Sequence, residues 1–113
     1  MEDINVTDQE RLILGEQFDL EMKKIYEDAK KLKPPYYAND FLKMINRDGG
    51  IKTAQKLLLA IKPAKGFTEL WERKALHLSV EYLVLQDKWK PLFSDEQRIK
   101  ARKNLRDVHF FID

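Results

Sequence analysis

Residues 7–35 read TDQERLILGEQFDLEMKKIYEDAKKLKPP and give the clearest structural pattern in the sequence. It opens with a capping box, in which the Thr7 hydroxyl accepts from the Glu10 amide while the Glu10 carboxylate accepts from the Thr7 amide. Apolar residues then recur every three or four positions on one helical face, namely Leu14, Phe18, Met22, Ile25, Ala29 and Leu32. Lys33-Pro34-Pro35 ends the pattern, because proline disfavours helical geometry in the residue before it. The stretch predicts a long amphipathic N-terminal helix.

Two shorter helices are predicted next in the chain, around a glycine turn. The first carries Phe41, Leu42, Met44 and Ile45, with Asn39 or a neighbour as its N-cap. Gly49-Gly50 closes it, because glycine readily adopts the left-handed conformation past a helix end. The helical spacing then resumes through Ile51, Ala54, Leu57, Leu58 and Ile61 until the break at 62–66. We expect a compact helical hairpin.

The second half of the chain contains one ambiguous stretch. A short helix is expected from Phe67 to near Lys74, and residues 75–85 then allow two interpretations. Leu76, Leu78 and Val80 alternate as in a strand, whereas Ser79 with Glu81 is typical of a helix start. We favour the helix, because no other segment offers a strand to pair with. A second capping box, Ser94 to Gln97, opens a final helix that runs to about Arg106.

These elements predict an all-α fold, a compact single-domain bundle of about five or six helices. Short central helices would lie between the long N-terminal helix and a basic C-terminal helix. The length of 113 residues suits one domain, with 43% hydrophobic and 35% charged residues. We expect residues 1–6 to be flexible and the apolar tail, residues 107–113, to dock on the core.

Composition excludes several classes of protein. The chain has no cysteine, so disulfides, thiol catalysis and thiolate metal sites are ruled out. Met1-Glu2-Asp3 is wrongly charged for a signal peptide, and the longest apolar run, residues 57–61, is too short to span a bilayer. We expect a cytoplasmic protein that has no membrane partner.

Three stretches of the chain follow a recognisable pattern. Residues 37–44 are similar to Y-N-A-T-R-F-L-x-M, and residues 49–58 to a Gly-Gly, Ala, Leu-Leu series. The most specific match is Gly66-Phe67-Thr68-Glu69-Leu70-Trp71-Glu72-Arg73 with Leu76, Leu78, Val80 and Glu81, against G-F-T-x-L-W-E-R-(G-R)-L-(D)-L-(S/T)-V-E. A P-L-F-[ST] link matches residues 91–94. Together they resemble a widespread family of small, uncharacterised bacterial helical proteins and domains, over residues 14–106.

The resemblance implies a single helical domain and brings no established activity. Where the pattern has Gly-Arg this chain has Lys74-Ala75, and where it has Asp this chain has His77. An arginine–aspartate pair there would be the most polar site of the family. Both members are replaced here, so the resemblance assigns that site no role in this chain.

The motifs of catalysis and metal binding are missing from the sequence. His77 and Glu81 would face each other if the helix extended back to residue 77, and such a pair can share a proton near neutral pH. No serine, aspartate or second histidine completes a catalytic arrangement by spacing. Two histidines without cysteine give no local metal motif, and Gly49-Gly50 lacks the residues of a phosphate loop. We therefore predict a protein that is not an enzyme and that has no cofactor, metal or small-molecule ligand.

Binding of another macromolecule remains, and a protein is the expected partner. Exposed tryptophan and arginine side chains are typical of interface hot spots, so the candidate residues are Trp71, Arg73, His77 and Trp89. A host-defence or mobile-element setting is compatible with such a module, although no residue encodes it.

The alternative is nucleic-acid binding by a basic stripe on the last helix. Arg98, Arg102 and Arg106 recur every four residues, with Lys88 and Lys90 upstream. The charges also divide along the chain: residues 1–28 hold nine acids and three bases, and residues 88–106 hold seven bases and two acids. Such asymmetry allows two copies to meet head to tail, so a homodimer is a further option.

Overall fold

A computed structural model describes residues 7–110. These residues form six α-helices: α1 (Asp8–Ala29), α2 (Asn39–Asp48), α3 (Gly50–Leu59), α4 (Lys65–Glu72), α5 (Val80–Val84) and α6 (Asp95–Asp107). Two 3₁₀ segments, Leu76–Leu78 and Asp87–Leu92, flank α5. No strand forms within residues 7–110, which confirms the all-α bundle with short central helices between a long first and a basic last helix.

Both predicted capping boxes form. Thr7 and Glu10 exchange bonds of 2.9 and 3.1 Å at the start of α1. Ser94 and Gln97 do the same at 3.0 and 3.1 Å at the start of α6. Each box satisfies two of the amides that a helix start leaves without intrahelical partners.

The predicted end of the first helix needs correction, and the start of the second is defined more closely. The first helix ends at Ala29, before the prolines, and the Ala29 carbonyl accepts from the Tyr36 amide at 3.0 Å as the chain turns. Asn39 is the first residue of α2, and its neighbour Ala38 is the N-cap residue, without a side-chain cap bond. The Asn39 side chain instead accepts from the Tyr26 hydroxyl at 2.9 Å.

The turn between α2 and α3 needs both of its glycines, for different reasons. Gly49 has φ 87° and ψ 163°, a backbone region that is essentially restricted to glycine. Gly50 packs directly against α1, where a Cβ atom would lie 2.9 Å from the Asp19 Cα. Its amide donates to Asp19 Oδ1 at 2.8 Å, so α1 supplies the N-terminal cap of α3.

Residues 75–85 are helical in two pieces rather than one. The 3₁₀ turn ends at Leu78, and the extended Ser79 then caps α5, with its Oγ accepting from the Tyr82 amide at 3.1 Å. The same Oγ donates to the Leu76 carbonyl at 2.7 Å. Ser79 therefore joins the two short helices through one hydroxyl.

Aromatic side chains fill the centre of the core. Phe18 of α1 meets Trp89 and Phe93 edge to face, with ring centroids 5.3 and 5.1 Å apart. At the end of α6, Val108 and Phe110 pack against the core, with Phe110 5.9 Å from the Tyr82 ring. The remainder of the predicted docking tail and the predicted flexible residues 1–6 lie outside the described residues.

The charge asymmetry of the sequence is not neutralised between the first and last helices. Within residues 7–110, the ion pairs of α1 are internal to it, Lys23–Asp19 and Lys30–Glu27. The pair in α6, Lys103–Asp107, is internal as well. Exposed pairs of this kind contribute little to stability.

Candidate functional site

The outer face of α1 exposes three large aliphatic side chains. Leu12 is 71% exposed, Ile13 47% and Leu20 65%, and we call these three residues the outer face. At 3.6 residues per turn, Ile13 and Leu20 lie about 20° apart around the axis and Leu12 about 80° from Leu20. They therefore point away from the core stripe of α1, which is Phe18, Met22, Ile25 and Ala29. Glu16 lies between Leu12 and Leu20 around the helix and is exposed as well, so this side of α1 combines three apolar side chains with one carboxylate.

The N-terminal half of α1, which carries the outer face, is held in place from the core side. Phe18 is fully buried against Trp89 and Phe93. Arg11 donates to the Pro91 carbonyl at 2.7 Å, which ties the second turn of α1 to the second 3₁₀ segment. The outer face is thus presented on a supported helix, and a partner would not have to order it.

Sequence reasoning missed the outer face, although the signal was present. The spacing of the core stripe indicates only which side of α1 packs inward. Leu12, Ile13 and Leu20 are apolar residues out of register with that stripe. A helical wheel that marks apolar residues opposite the core would have found them.

The four residues predicted to bind a protein do not form one surface. Trp71 is 49% exposed and His77 is exposed in the 3₁₀ turn. Trp89 is only 2% exposed, so its selection as a contact residue was wrong: it is part of the core, against Phe18. Trp71 lies in the last turn of α4, whereas Arg73 is the C-cap residue after it and donates to the Pro34 carbonyl.

Arg73 stabilises the fold. Its Nε donates to the Pro34 carbonyl at 2.7 Å and its Nη2 to the Pro35 carbonyl at 3.3 Å. Its Nη1 pairs with Glu69 at 2.7 Å, and the guanidinium lies 5.4 Å from the Tyr36 ring centroid. With 12% of its side chain exposed, it joins α4 to the proline link and offers a partner little surface.

The helix does not extend back to residue 77, so the His77–Glu81 pair that such a helix would allow does not form. Ser79 interrupts the helix between them, so the two residues are not in one helical register. Glu81 is 4% exposed and accepts from Asn104 Nδ2 of α6 at 3.0 Å. Burial raises the pKa of its carboxyl above the ordinary value, while the Asn104 bond and the Lys100 charge act in the opposite direction. His77 lines a depression of about 90 Å³ with Glu21, Lys24 and Asp28 of α1.

A second, larger cavity of about 210 Å³ lies among α1, α2, α4 and α5. Its walls are mostly apolar and include Phe41, Met44, Leu57 and Phe67. Glu81 and Tyr36 contribute polar groups to the same walls.

The basic stripe of α6 is interrupted at its first member. Arg98 is half-buried, and its Nη2 donates to the Leu85 carbonyl at 3.1 Å, where it caps the end of α5. Arg102, Arg106, Lys88 and Lys90 are exposed. Lys88 lies 4.9 Å from the Trp89 ring centroid. The continuous row of three free guanidinium groups that the spacing predicted is therefore reduced to two.

Two searches of the described residues and three comparisons were negative. In residues 7–110, no group of three or more His, Asp or Glu side chains is placed to hold a metal ion. No helix in this part of the chain has the length and apolarity to cross a membrane. The chain matches no protein-family model, no curated protein and no solved structure. The family resemblance of residues 14–106 stays a prediction.

Proposed function

We propose that the chain is a non-catalytic helical module that binds another protein through the outer face of α1. The observation that carries the proposal is the exposure of Leu12, Ile13 and Leu20 on one supported helix, opposite its core stripe. The partner surface that fits is apolar, since these three side chains offer no hydrogen bond. Charged residues of both signs border the outer face or continue it along α1, namely the exposed Glu16, Lys24 and Glu27. Their charges would orient the partner on this surface.

The size of the outer face suits a modest interface core. Full burial of one Leu or Ile side chain contributes about 1.5–3 kcal/mol. With roughly 60% of each side chain still exposed, the three together would contribute about 4 kcal/mol before ordering costs are subtracted. That corresponds to about a thousandfold in affinity, the scale of a small hot-spot cluster.

The test compares the proteins that the wild type and matched variants of this chain capture from a lysate of the native host. The double variant Leu12→Glu/Leu20→Glu should lose the proteins that the wild type retains, because two carboxylates would be buried at the interface. Leu59→Glu is the control, since Leu59 is 76% exposed on α3, away from the outer face. Identical captured proteins for wild type and the double variant would contradict the proposal.

Sedimentation of the purified chain separates a foreign partner from a second copy. We expect a monomer at micromolar concentration. A dimer that the double variant converts to monomer would show that a second copy covers the outer face, and the proposal of a different protein partner would fail.

Nucleic-acid binding has less support, because Arg98 is engaged by the Leu85 carbonyl. Fluorescence anisotropy with labelled duplex DNA at low salt should show no binding. A salt-sensitive signal that is lost in Arg102→Ala/Arg106→Ala would instead favour the basic helix as the functional surface.

A further inference from the structure

The cavity of about 210 Å³ combines an apolar body with a buried carboxyl group. Glu81 lies in its wall at 4% exposure. Only Oε2 of the carboxyl accepts from another described residue, Asn104, at 3.0 Å. A buried carboxyl in apolar surroundings is costly unless its hydrogen-bonding capacity is used. The backbone amide of Glu81 also donates to this carboxyl. A carboxylate that accepts two hydrogen bonds still has capacity for a further donor.

A second polar group lies in the same wall. Tyr36 is half-buried, and no hydrogen bond of its hydroxyl is formed with residues 7–110. Gly66, also in the wall, has no side chain there: a Cβ atom would lie 3.7 Å from the Tyr36 hydroxyl oxygen. The phenol thus borders open space in the cavity.

We propose that this cavity binds a small organic amine, with its apolar body among Phe41, Leu57 and Phe67 and its ammonium group donating to Glu81. The cavity exceeds the roughly 150 Å³ that admits benzene, so one aromatic ring with a short chain fits. This site departs from the sequence-based expectation of no small-molecule ligand, and it does not depend on protein binding by α1.

The charges of the wall favour a cation over an anion. Glu81 and Asp40 both line the cavity, and the one basic residue among its described lining residues is Lys65, which is exposed at the start of α4. A ligand carboxylate would meet the Glu81 carboxyl inside the cavity and would be repelled or forced to share its proton. An ammonium group supplies donors and has no acceptor, which complements a carboxyl group that can accept a further hydrogen bond.

The test uses three ligands of similar shape in NMR titrations of the full chain: phenethylamine, phenethyl alcohol and phenylacetate. Phenethylamine should shift the amides of cavity residues with a dissociation constant of about 1 mM or tighter. The alcohol should bind more weakly, and the carboxylate should bind weakest. Absence of shifts with phenethylamine at about 10 mM, or binding of phenylacetate as tight as that of the amine, would overturn the proposal.

Variants locate the site. Glu81→Gln keeps the shape and an acceptor for Asn104, so it should weaken phenethylamine about tenfold and leave the alcohol nearly unchanged. Leu57→Trp should fill the cavity and abolish binding of both the amine and the alcohol. Leu59→Trp changes an exposed residue two positions further along α3 and should leave binding of both ligands intact. Met44→Trp repeats the filling from α2 if Leu57→Trp fails to fold. Unchanged amine affinity in Glu81→Gln, with helicity retained by circular dichroism, would refute the assignment.

Discussion

A methyl group added at Gly50 should destabilise the protein strongly, because α3 begins directly against α1. The Cβ atom would lie 2.9 Å from the Asp19 Cα, 3.2 Å from Met22 Cγ and 3.3 Å from Phe18 Cδ2. Asp19 Cα is backbone in the middle of α1, and both other side chains are fully buried. The clash therefore cannot be relieved by rotating a surface side chain, and α3 must move away from α1.

The magnitude follows from two contributions. Overpacking of this severity costs about 2 kcal/mol. Moving α3 also lengthens the 2.8 Å bond from the Gly50 amide to Asp19, which adds about 1 kcal/mol. A total of about 3 kcal/mol would lower the melting temperature by roughly 12 °C for a chain of this length.

Gly66→Ala is the matched control for Gly50→Ala. Both glycines lie in the first turn of a short helix, but the nearest atoms to a Cβ at Gly66 are Tyr36 Oη at 3.7 Å and Tyr36 Cε2 at 3.9 Å. This variant should be neutral or more stable by about 0.5–1 kcal/mol, because alanine favours the helix. Urea unfolding followed by circular dichroism measures both. Equal stability of the two variants would refute the close approach of α1 and α3.

Three further outcomes are expected from the same unfolding measurements. Gly49→Ala should cost about 1–3 kcal/mol without any clash, because its φ of 87° strains an L-residue; a neutral result would contradict that backbone conformation. Arg73→Lys should lower the unfolding free energy by about 1–2 kcal/mol, because one ammonium group cannot reach the Pro34 carbonyl and Glu69 together as the guanidinium does. A loss no larger than that caused by an arginine-to-lysine change at an exposed position would contradict this role of Arg73. Glu81→Gln should gain stability relative to the wild type as pH rises, because burial raises the folded pKa of Glu81 above its unfolded value and the wild type therefore loses stability as pH rises between the two. The difference in unfolding free energy between the two proteins should be smallest below about pH 4.5. A difference that does not change with pH would contradict the burial of this carboxyl.

Local chemistry made the helices predictable. Capping boxes at Thr7 and Ser94 act within four residues, so the sequence alone contains both partners. The Gly-Gly turn was predicted from Gly49, whose conformation few other residues adopt. The need for Gly50 was not visible, because its neighbour Asp19 lies 31 positions away in the chain.

Side-chain roles that depend on distant carbonyls were not predictable. Arg73 and Arg98 were assigned to candidate surfaces by composition and spacing, yet each donates to backbone oxygens far along the chain. Trp89 was named as a candidate contact because tryptophan is typical of interface hot spots, and the 3₁₀ geometry of residues 87–92 turns its indole onto Phe18. A 3₁₀ helix has three residues per turn, which places Trp89 and Leu92 on the same buried face, but the sequence did not indicate that residues 87–92 adopt this geometry.

The two proposed sites use opposite ends of α1, and this separation makes each testable without the other. The outer face lies between Leu12 and Leu20, whereas α1 contributes Ile25 and Ala29 to the cavity, more than one helical turn further along. A charge placed at Leu20 faces solvent and leaves the apolar walls of the cavity untouched. A change of Glu81 to Gln alters a residue of α5 that makes its hydrogen bond to α6. Loss of a protein partner in the first case and loss of amine selectivity in the second therefore report on separate surfaces, even though a single rigid helix contributes to both.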